Sequence, residues 1–121
     1  MLIYEVNLEV EEEINYKVAG WLTEHIQQML EFKGFKAAQW FFRQPEDEER
    51  QSANKTLWTI HYLVEDRPSL NDYFREHAER KRQEAIDKFG DKLSVSRRVL
   101  NLLSVAGLPF QDAPGSEPAS G

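Results

Sequence analysis

The sequence predicts an α+β fold in which two helices cover one face of a four-stranded antiparallel sheet. Two observations support this prediction. Hydrophobic periodicity divides residues 2–103 into strand, helix, strand, strand, helix and strand. At least two of the strands also carry large apolar side chains on both faces. Because two helices can cover only one face, the other face needs a second sheet, most simply from a second copy of the chain. The sequence therefore predicts a homodimer.

Length and composition set the domain organisation and exclude several classes of protein. The 121 residues suit one domain, 1–103, followed by a tail, 104–121, that is flexible or packed on the partner subunit. The chain has no cysteine, which excludes disulfides and thiolate metal sites. Its net charge of −6 disfavours binding to nucleic acid or anionic membranes. No stretch is apolar enough to cross a membrane and no signal-peptide pattern is present, so a cytoplasmic protein is expected.

The first strand and the first helix have clear periodic patterns. Residues 2–10 alternate, so that one face of the strand is apolar while Glu5 and Asn7 lie on the other face. An acidic run precedes the helix predicted over residues 14–31, where the helix dipole favours negative charge. Gly34 is expected to end this helix.

The middle strands carry apolar side chains on both faces. In the strand predicted over 35–43, Trp40 and Phe42 point one way, and Phe35 and Phe41 point the other. The polar segment 44–54 is predicted to be a long hairpin loop before a third strand over 56–64. Each aromatic ring buries roughly 150–250 Å², so neither face of the sheet is expected to remain exposed.

The second helix has recognisable start and end signals. Ser69 and Asp72 have the spacing of a capping box, with Asp in place of the usual Glu, and Gly90 is expected to end the helix. The last strand is predicted over 93–103. In the tail that follows, three apolar residues are candidates for contact with the partner subunit, namely Val105, Leu108 and Phe110.

Three segments of the chain resemble a family of small, uncharacterised bacterial proteins in the dimeric α/β-barrel superfamily. They are LIYEVNLEV, WLTEHIQQMLEFKGF and YFREHAERKRQEAIDKFGDKLSVSRRVL, which occur in the family's order within residues 2–103. The resemblance implies a ferredoxin-like βαββαβ fold whose sheet packs face to face on that of its twofold mate, giving a dimeric α/β barrel. This agrees with the homodimer predicted from the strands.

The superfamily contains cofactor-free monooxygenases, haem-degrading enzymes, lactone isomerases and ligand-sensing domains, so the fold alone does not select a chemistry. Its haem-degrading members use a strand asparagine with a tryptophan and a histidine of the second helix. Asn7 matches the first of these, but Tyr73 stands where the tryptophan is expected and His77 does not match the histidine. The three histidines lie on three different elements, without metal-ligand spacing. No cofactor and no metal are therefore predicted.

The first candidate site lies between the helices and the sheet. His25 follows Trp21 by one turn on the apolar stripe of the first helix, and His77 follows Tyr73 in the same way on the second. Both pairs are expected to point toward the sheet, where a histidine could bind a ligand or exchange a proton near neutral pH. The plainer alternative is a partly buried histidine bonded to a backbone carbonyl.

The second candidate site lies on the sheet face enclosed by the dimer. Glu5 and Asn7 of the first strand share this face with Thr59 and His61 of the third, and either Arg97 or Arg98 must join them. Polar side chains on a covered face need one another, water or a ligand as partners. The alternative is a hydrated dimer interface containing an ion pair.

Three functions agree with these residues. The leading interpretation is a homodimer that binds a small apolar or aromatic molecule in the first site, with ligand sensing as one form of this role. A cofactor-free monooxygenase or isomerase using His25 or His77 as base is the alternative enzyme. The third is a structural or interaction dimer without a ligand. No catalytic residue is assigned.

Overall fold

The computed structural model describes residues 1–49 and 53–107 of the chain. Its strands are β1 (Leu2–Glu11), β2 (Phe35–Phe42), β3 (Lys55–Val64) and β4 (Leu93–Asn101), and its helices are α1 (Asn15–Met29), α2 (Arg67–Glu76) and α3 (Ala78–Phe89). The strands form one antiparallel sheet in the order β2-β3-β1-β4. Short 3₁₀ turns lie at Glu12–Ile14, Pro45–Asp47 and Gly90–Lys92. The prediction of an α+β, ferredoxin-like fold is confirmed.

The core lies between the helices and one face of the sheet. From α1, the residues at helical spacing are all buried: Val18, Leu22, Ile26 and Met29. They pack with the alternate residues of β1 and β3, which include Tyr4 and Tyr62. The opposite face, which we call the open sheet face, carries Ile3, Glu5, Asn7 and Glu9 of β1, Leu57, Thr59, His61 and Leu63 of β3, Ala37, Gln39 and Phe41 of β2, and Ser94, Ser96, Arg98 and Leu100 of β4.

A β-bulge at the start of β2 changes the predicted facing of its aromatic side chains. Phe35 pairs with Val64 whereas Ala37 pairs with Leu63, so Lys36 is an extra residue on this strand. Phe35 is therefore buried on the helix side, and Phe41 lies on the open sheet face. The prediction that these two side chains share a face is wrong, because strict alternation cannot anticipate a bulge.

Gly34 lies in the turn after α1 and does not cap the helix. The helix ends at Met29, earlier than predicted, and Gly34 adopts a positive φ of 86° five residues later. A Cβ atom at this position would lie 2.3 Å from Ser69 Oγ. Glycine is thus required both by the backbone conformation and by the close approach of this turn to the beginning of α2.

The predicted second helix is two helices that meet at His77. The backbone of His77 departs from helical geometry, with φ of −132° and ψ of −26°. The N-cap residue of α2 is Asp66, whose carboxylate accepts a hydrogen bond of 2.9 Å from the Ser69 N–H. The capping box predicted at Ser69 and Asp72 is therefore wrong. Gly90 directly follows α3 with a positive φ of 57°, in agreement with the predicted end.

Parts of two predicted segments are not covered by the structure. Residues 50–52 of the predicted loop, and residues 108–121 of the predicted tail, lie outside the described residues, so the contacts expected for Leu108 and Phe110 are not described either. The strand β4 ends at Asn101, and after it Leu103 is 95% exposed. Among the described residues, no helix has the length and apolar character needed to span a membrane.

Candidate functional site

The second candidate site forms a hydrogen-bonded cluster at the centre of the open sheet face. Strand pairing places His61 of β3 and Arg98 of β4 on either side of Glu5, and places Thr59 opposite Asn7. We call these five residues the Glu5 cluster. All four side chains predicted for this site are brought together, and Arg98 is the arginine that joins them.

Every member of the Glu5 cluster has a hydrogen-bond partner within it. Arg98 donates to both carboxylate oxygens of Glu5. Asn7 Nδ2 donates to Glu5 Oε2 over 3.0 Å, and Thr59 Oγ1 donates to Asn7 Oδ1 over 2.6 Å. His61 Nε2 lies 2.8 Å from Glu5 Oε1, and it must carry a proton there because an ionised carboxylate only accepts. The cluster therefore holds the imidazole in one orientation.

The charge of Glu5 is stabilised although only 5% of the residue is exposed. Burial acts to raise the pKa of its carboxyl, but the hydrogen bonds from Arg98, Asn7 and His61, with the positive charge of Arg98, outweigh burial and lower the pKa to about 2. Glu5 is consequently an ionised acceptor with occupied oxygens. It is suited to orienting His61 and Arg98, and not to proton abstraction on its own.

Beside the Glu5 cluster lies an open depression of about 600 Å³. Residues of β1, β3 and β4 line it, and Arg43 lies at one end. Arg43 donates from Nη2 to the Leu8 carbonyl and from Nη1 to Glu48, whereas its buried Nε has no hydrogen-bond partner. Sequence analysis did not identify Arg43, because nothing in the local pattern distinguishes it from an ordinary strand end.

The first candidate site is a narrow cleft between the sheet and helices α1 and α3, which we call the helix–sheet cleft. Trp21, His25 and Tyr73 line it, with the rings of Tyr4 and Tyr62 on the sheet side. The Trp21 and His25 rings stack with their centroids 4.6 Å apart. The cleft encloses about 50 Å³, room for a few water molecules.

His25, which lines the helix–sheet cleft, has an unsatisfied polar atom. Its Nδ1 atom is buried and has no hydrogen-bond partner. Burial, reinforced by the positive charges of Lys81 and Arg97, lowers the pKa of the imidazole to about 4. His25 is therefore neutral at physiological pH, and an imidazole with this pKa is a weak base.

His77 is separated from the other three residues of the first candidate site. It does not line the helix–sheet cleft. Its ring stacks on Phe32 with the centroids 4.3 Å apart, and the ring of Tyr73 is 6.5 Å away. Because α2 ends at Glu76 and His77 has a non-helical backbone, this side chain does not continue the stripe that the pattern of a single helix predicted.

Three basic residues of the helix–sheet cleft were not identified from the sequence: Lys81, Arg82 and Arg97. A signal for Arg97 was available, because it occupies a core-facing position of β4 between Val95 and Val99. For Lys81 the available signal was its position one helical turn after His77, on the stripe predicted for the second helix. Among the described residues, no group of three or more histidine, aspartate or glutamate side chains is arranged to hold a metal ion.

Solved structures with the same fold include proteins with different descriptions. A candidate antibiotic biosynthesis monooxygenase from Deinococcus radiodurans matches with a TM-score of 0.64 and 10% identity, over 90% of this chain and 99% of that one. An ethyl tert-butyl ether (EthD) family protein from Bacillus halodurans matches with a TM-score of 0.56 and 16% identity, over 85% of this chain and 100% of that one. A de novo designed protein, Foldit4, matches with a TM-score of 0.51 and 14% identity, over 84% of this chain and 98% of that one. At these identities the likeness establishes the fold alone.

Sequence comparisons identify a family but no characterised relative. A search of curated proteins finds no match. The profile of a domain of unknown function, DUF4286, matches residues 1–103. This is the segment that holds all four strands and all three helices. The chain therefore belongs to the DUF4286 family.

Proposed function

We propose that the protein is a homodimer that binds a small, largely apolar molecule in the helix–sheet cleft of each subunit. The observation that carries the binding role is the buried Nδ1 of His25, which lacks a hydrogen-bond partner beside aromatic walls. A buried polar atom without a partner is costly unless a ligand or water satisfies it. A ligand that forms a hydrogen bond with this nitrogen would remove that cost.

The small volume of the cleft requires its walls to adjust when a ligand binds. An organic molecule needs more than about 50 Å³. Part of the wall consists of Arg82 and Arg97, two long residues that are both exposed. Rotation of these side chains would widen the cleft without displacing the sheet.

The open sheet face supports the homodimer. Phe41 is 43% exposed on this face, and Leu100 lies at its other side. Between them, every residue of the Glu5 cluster has a hydrogen-bond partner within the cluster, which lowers the cost of covering these polar side chains. A second copy of the same face would cover the apolar side chains and enclose the depression beside the cluster.

Two variants that introduce the same charge at different places test the dimer. Phe41→Glu puts a charge on the open sheet face, whereas Ile86→Glu changes a residue of α3 that is 57% exposed. We expect sedimentation at micromolar concentration to give a dimer for the wild type and Ile86→Glu, and the 14.2 kDa monomer for Phe41→Glu. A monomeric wild type would contradict the proposal.

Native mass spectrometry of full-length protein purified from its own cells tests ligand binding. We expect a mass above that of the protein alone, which is released on denaturation. Ala85→Phe fills the helix–sheet cleft, and Ile86→Phe adds the same ring on the exposed side of α3. The added mass should disappear from the first variant and persist in the second. Equal retention by both variants, or no added mass in the wild type, would contradict binding in this cleft.

A cofactor-free monooxygenase or isomerase is the second candidate, supported by the oriented His61–Glu5 pair, whose carboxylate lines the open depression. In such a pair the carboxylate stabilises the imidazolium that forms when the imidazole accepts a proton. Incubating the retained molecule with fresh protein in air separates the two functions. A binder returns the molecule unchanged. An enzyme converts it, and His61→Gln should abolish the conversion.

A further inference from the structure

We propose that the helix–sheet cleft selects organic anions, with Arg97 and Arg82 binding a carboxylate and the aromatic walls binding the apolar body of the ligand. This inference rests on the binding function proposed above and specifies the class of ligand. The first observation is the position of Arg97. Its neighbours on the helix side of β4 are Val95 and Val99, which pack against the core, so a cation occupies a position that is otherwise apolar.

The two arginines have no anionic partner among the residues that the structure describes. Both line the cleft, and neither forms an ion pair with a carboxylate anywhere in residues 1–49 and 53–107. By contrast, Arg75, Arg80 and Arg98 all pair with acidic residues. A guanidinium at the edge of an apolar cavity offers the planar donors that bind a carboxylate in two places.

A third cation reinforces the positive potential of the cleft. Lys81 is only 8% exposed, donates to Gln28 Oε1 over 2.7 Å and lies 3.6 Å from a carboxylate oxygen of Glu84. Glu84 is also within 3.9 Å of Arg80, so this one carboxylate is shared. The cleft is thus positive although the whole chain carries a net charge of −6. Burial, together with the positive charges of Lys81 and Arg97, lowers the pKa of His25 in this cleft.

The remaining walls define the body of the ligand. The ring of Tyr4 contacts that of Tyr62 on the sheet and that of Tyr73 on α2, with centroid distances of 6.1 Å and 5.8 Å. Trp21 lies on the α1 side and stacks on His25. Flat apolar groups pack well between such rings. Together with the arginines, these walls favour a small aromatic carboxylate over either a neutral aromatic compound or an inorganic anion.

Matched pairs of acids and amides test this selectivity on the full chain. The probes are benzoate, phenylacetate and 3-phenylpropionate, each compared with its amide in NMR titrations at about 0.15 M salt, where exposed charges are screened. We expect at least one acid to bind about tenfold more tightly than its amide, with signal changes at Trp21 and His25. Occupation by the acid should also raise the pKa of His25, because the ligand charge offsets Lys81 and Arg97.

Charge-removing variants provide the control. Arg97→Gln and, separately, Arg82→Gln should abolish the preference for the acid, whereas Arg75→Gln, on a different surface, should retain it. Unchanged NMR signals of the backbone N–H groups would show that the variant proteins are folded. Equal binding of acid and amide would overturn anion selection while leaving the binding function intact. Changes confined to His61 and Arg98, or no binding of any acid, would also overturn it, and the native mass measurement tests the binding function separately.

Discussion

Glu5 is expected to make folding stability depend on acidic pH. Its pKa of about 2 in the folded chain is below the ordinary value of 4.5, so the unfolded chain takes up a proton first as the pH falls. The stabilisation is complete above pH 4.5 and is lost between that pH and about 2; it amounts to about 3 kcal/mol. Urea unfolding of the wild type and Glu5→Gln across this range should show the loss only in the wild type.

A matched substitution isolates the effect of the cluster. Glu24 lies on the exposed side of α1, and Glu24→Gln removes the same charge without touching the Glu5 cluster. Its stability should follow that of the wild type at every pH. If Glu5→Gln also follows the wild type, the cluster contributes no stability.

His25 should titrate well below an ordinary histidine. The folded pKa of about 4 is below the ordinary histidine value of 6.5, so the stability that comes from keeping the ring neutral is complete above pH 6.5 and is lost as the pH falls toward 4. NMR of the imidazole carbon-bound protons in the ligand-free protein should give a midpoint near 4. His25→Gln should remove the loss of stability between these two pH values. A midpoint near 6.5 would show that the ring is hydrated and not influenced by Lys81 and Arg97.

At the level of the elements, substitution by alanine should have opposite effects on stability at Gly34, in the turn after α1, and at Gly20, within α1. Gly34→Ala places a Cβ against Ser69 in a backbone with positive φ, and we expect it to lower the free energy of unfolding by roughly 1–3 kcal/mol. Gly20 lies in an exposed part of the helix with no atom within 4 Å of the added Cβ. Gly20→Ala should stabilise the protein by up to about 1 kcal/mol.

Urea unfolding measures both effects, and a double variant separates the causes. Gly34→Ala with Ser69→Gly removes the steric contact but keeps the strained backbone, so it should recover only part of the loss. Full recovery would show that the conformation itself carries no cost. A stabilising Gly34→Ala would contradict the positive φ.

Local sequence patterns predicted the strands that pair without interruption. They missed the features that depend on contacts with residues distant in the chain. Alternation identified the faces of β1 and β3 because both strands pair without interruption over their whole length. It placed Phe35 on the wrong face because the bulge at Lys36 depends on how β2 pairs with β3. The break at His77 was missed for a similar reason. No glycine or proline marks it, and the ring is instead held by stacking on Phe32.

For the whole molecule, truncation tests whether the domain ends where the strands end. A chain cut after Leu103 retains every described strand and helix and loses Val105, which is 66% exposed. We expect the same melting temperature as for the full chain, because none of the described residues after Leu103 belongs to the core. Sedimentation should still give a dimer. A monomeric truncated chain would assign residues 104–121 to the subunit interface.

The two candidate sites differed in how far the sequence predicted them. Glu5, Asn7, Thr59 and His61 were grouped correctly because face and strand order together fix their neighbours. For the helix–sheet cleft, the sequence predicted Trp21, His25 and Tyr73, which line it, but also His77, which does not, and it missed the cations. Arg97 and Arg98 are adjacent, and one of them had to face each way; only the pairing of β4 with β1 assigns them.

The adjacent arginines of β4 connect the two faces of the sheet, because their side chains lie on opposite faces. Arg98 belongs to the Glu5 cluster on one face, and Arg97 lines the cleft on the other. One peptide unit joins them. A ligand that fixes Arg97 would therefore also restrict the backbone that positions Arg98 on the open sheet face, where we propose that a second subunit binds. By thermodynamic linkage, any ligand that tightened the dimer would itself bind more tightly to the dimer than to the monomer. The dissociation constant of the subunits would then report ligand concentration, which is the property that a sensor requires.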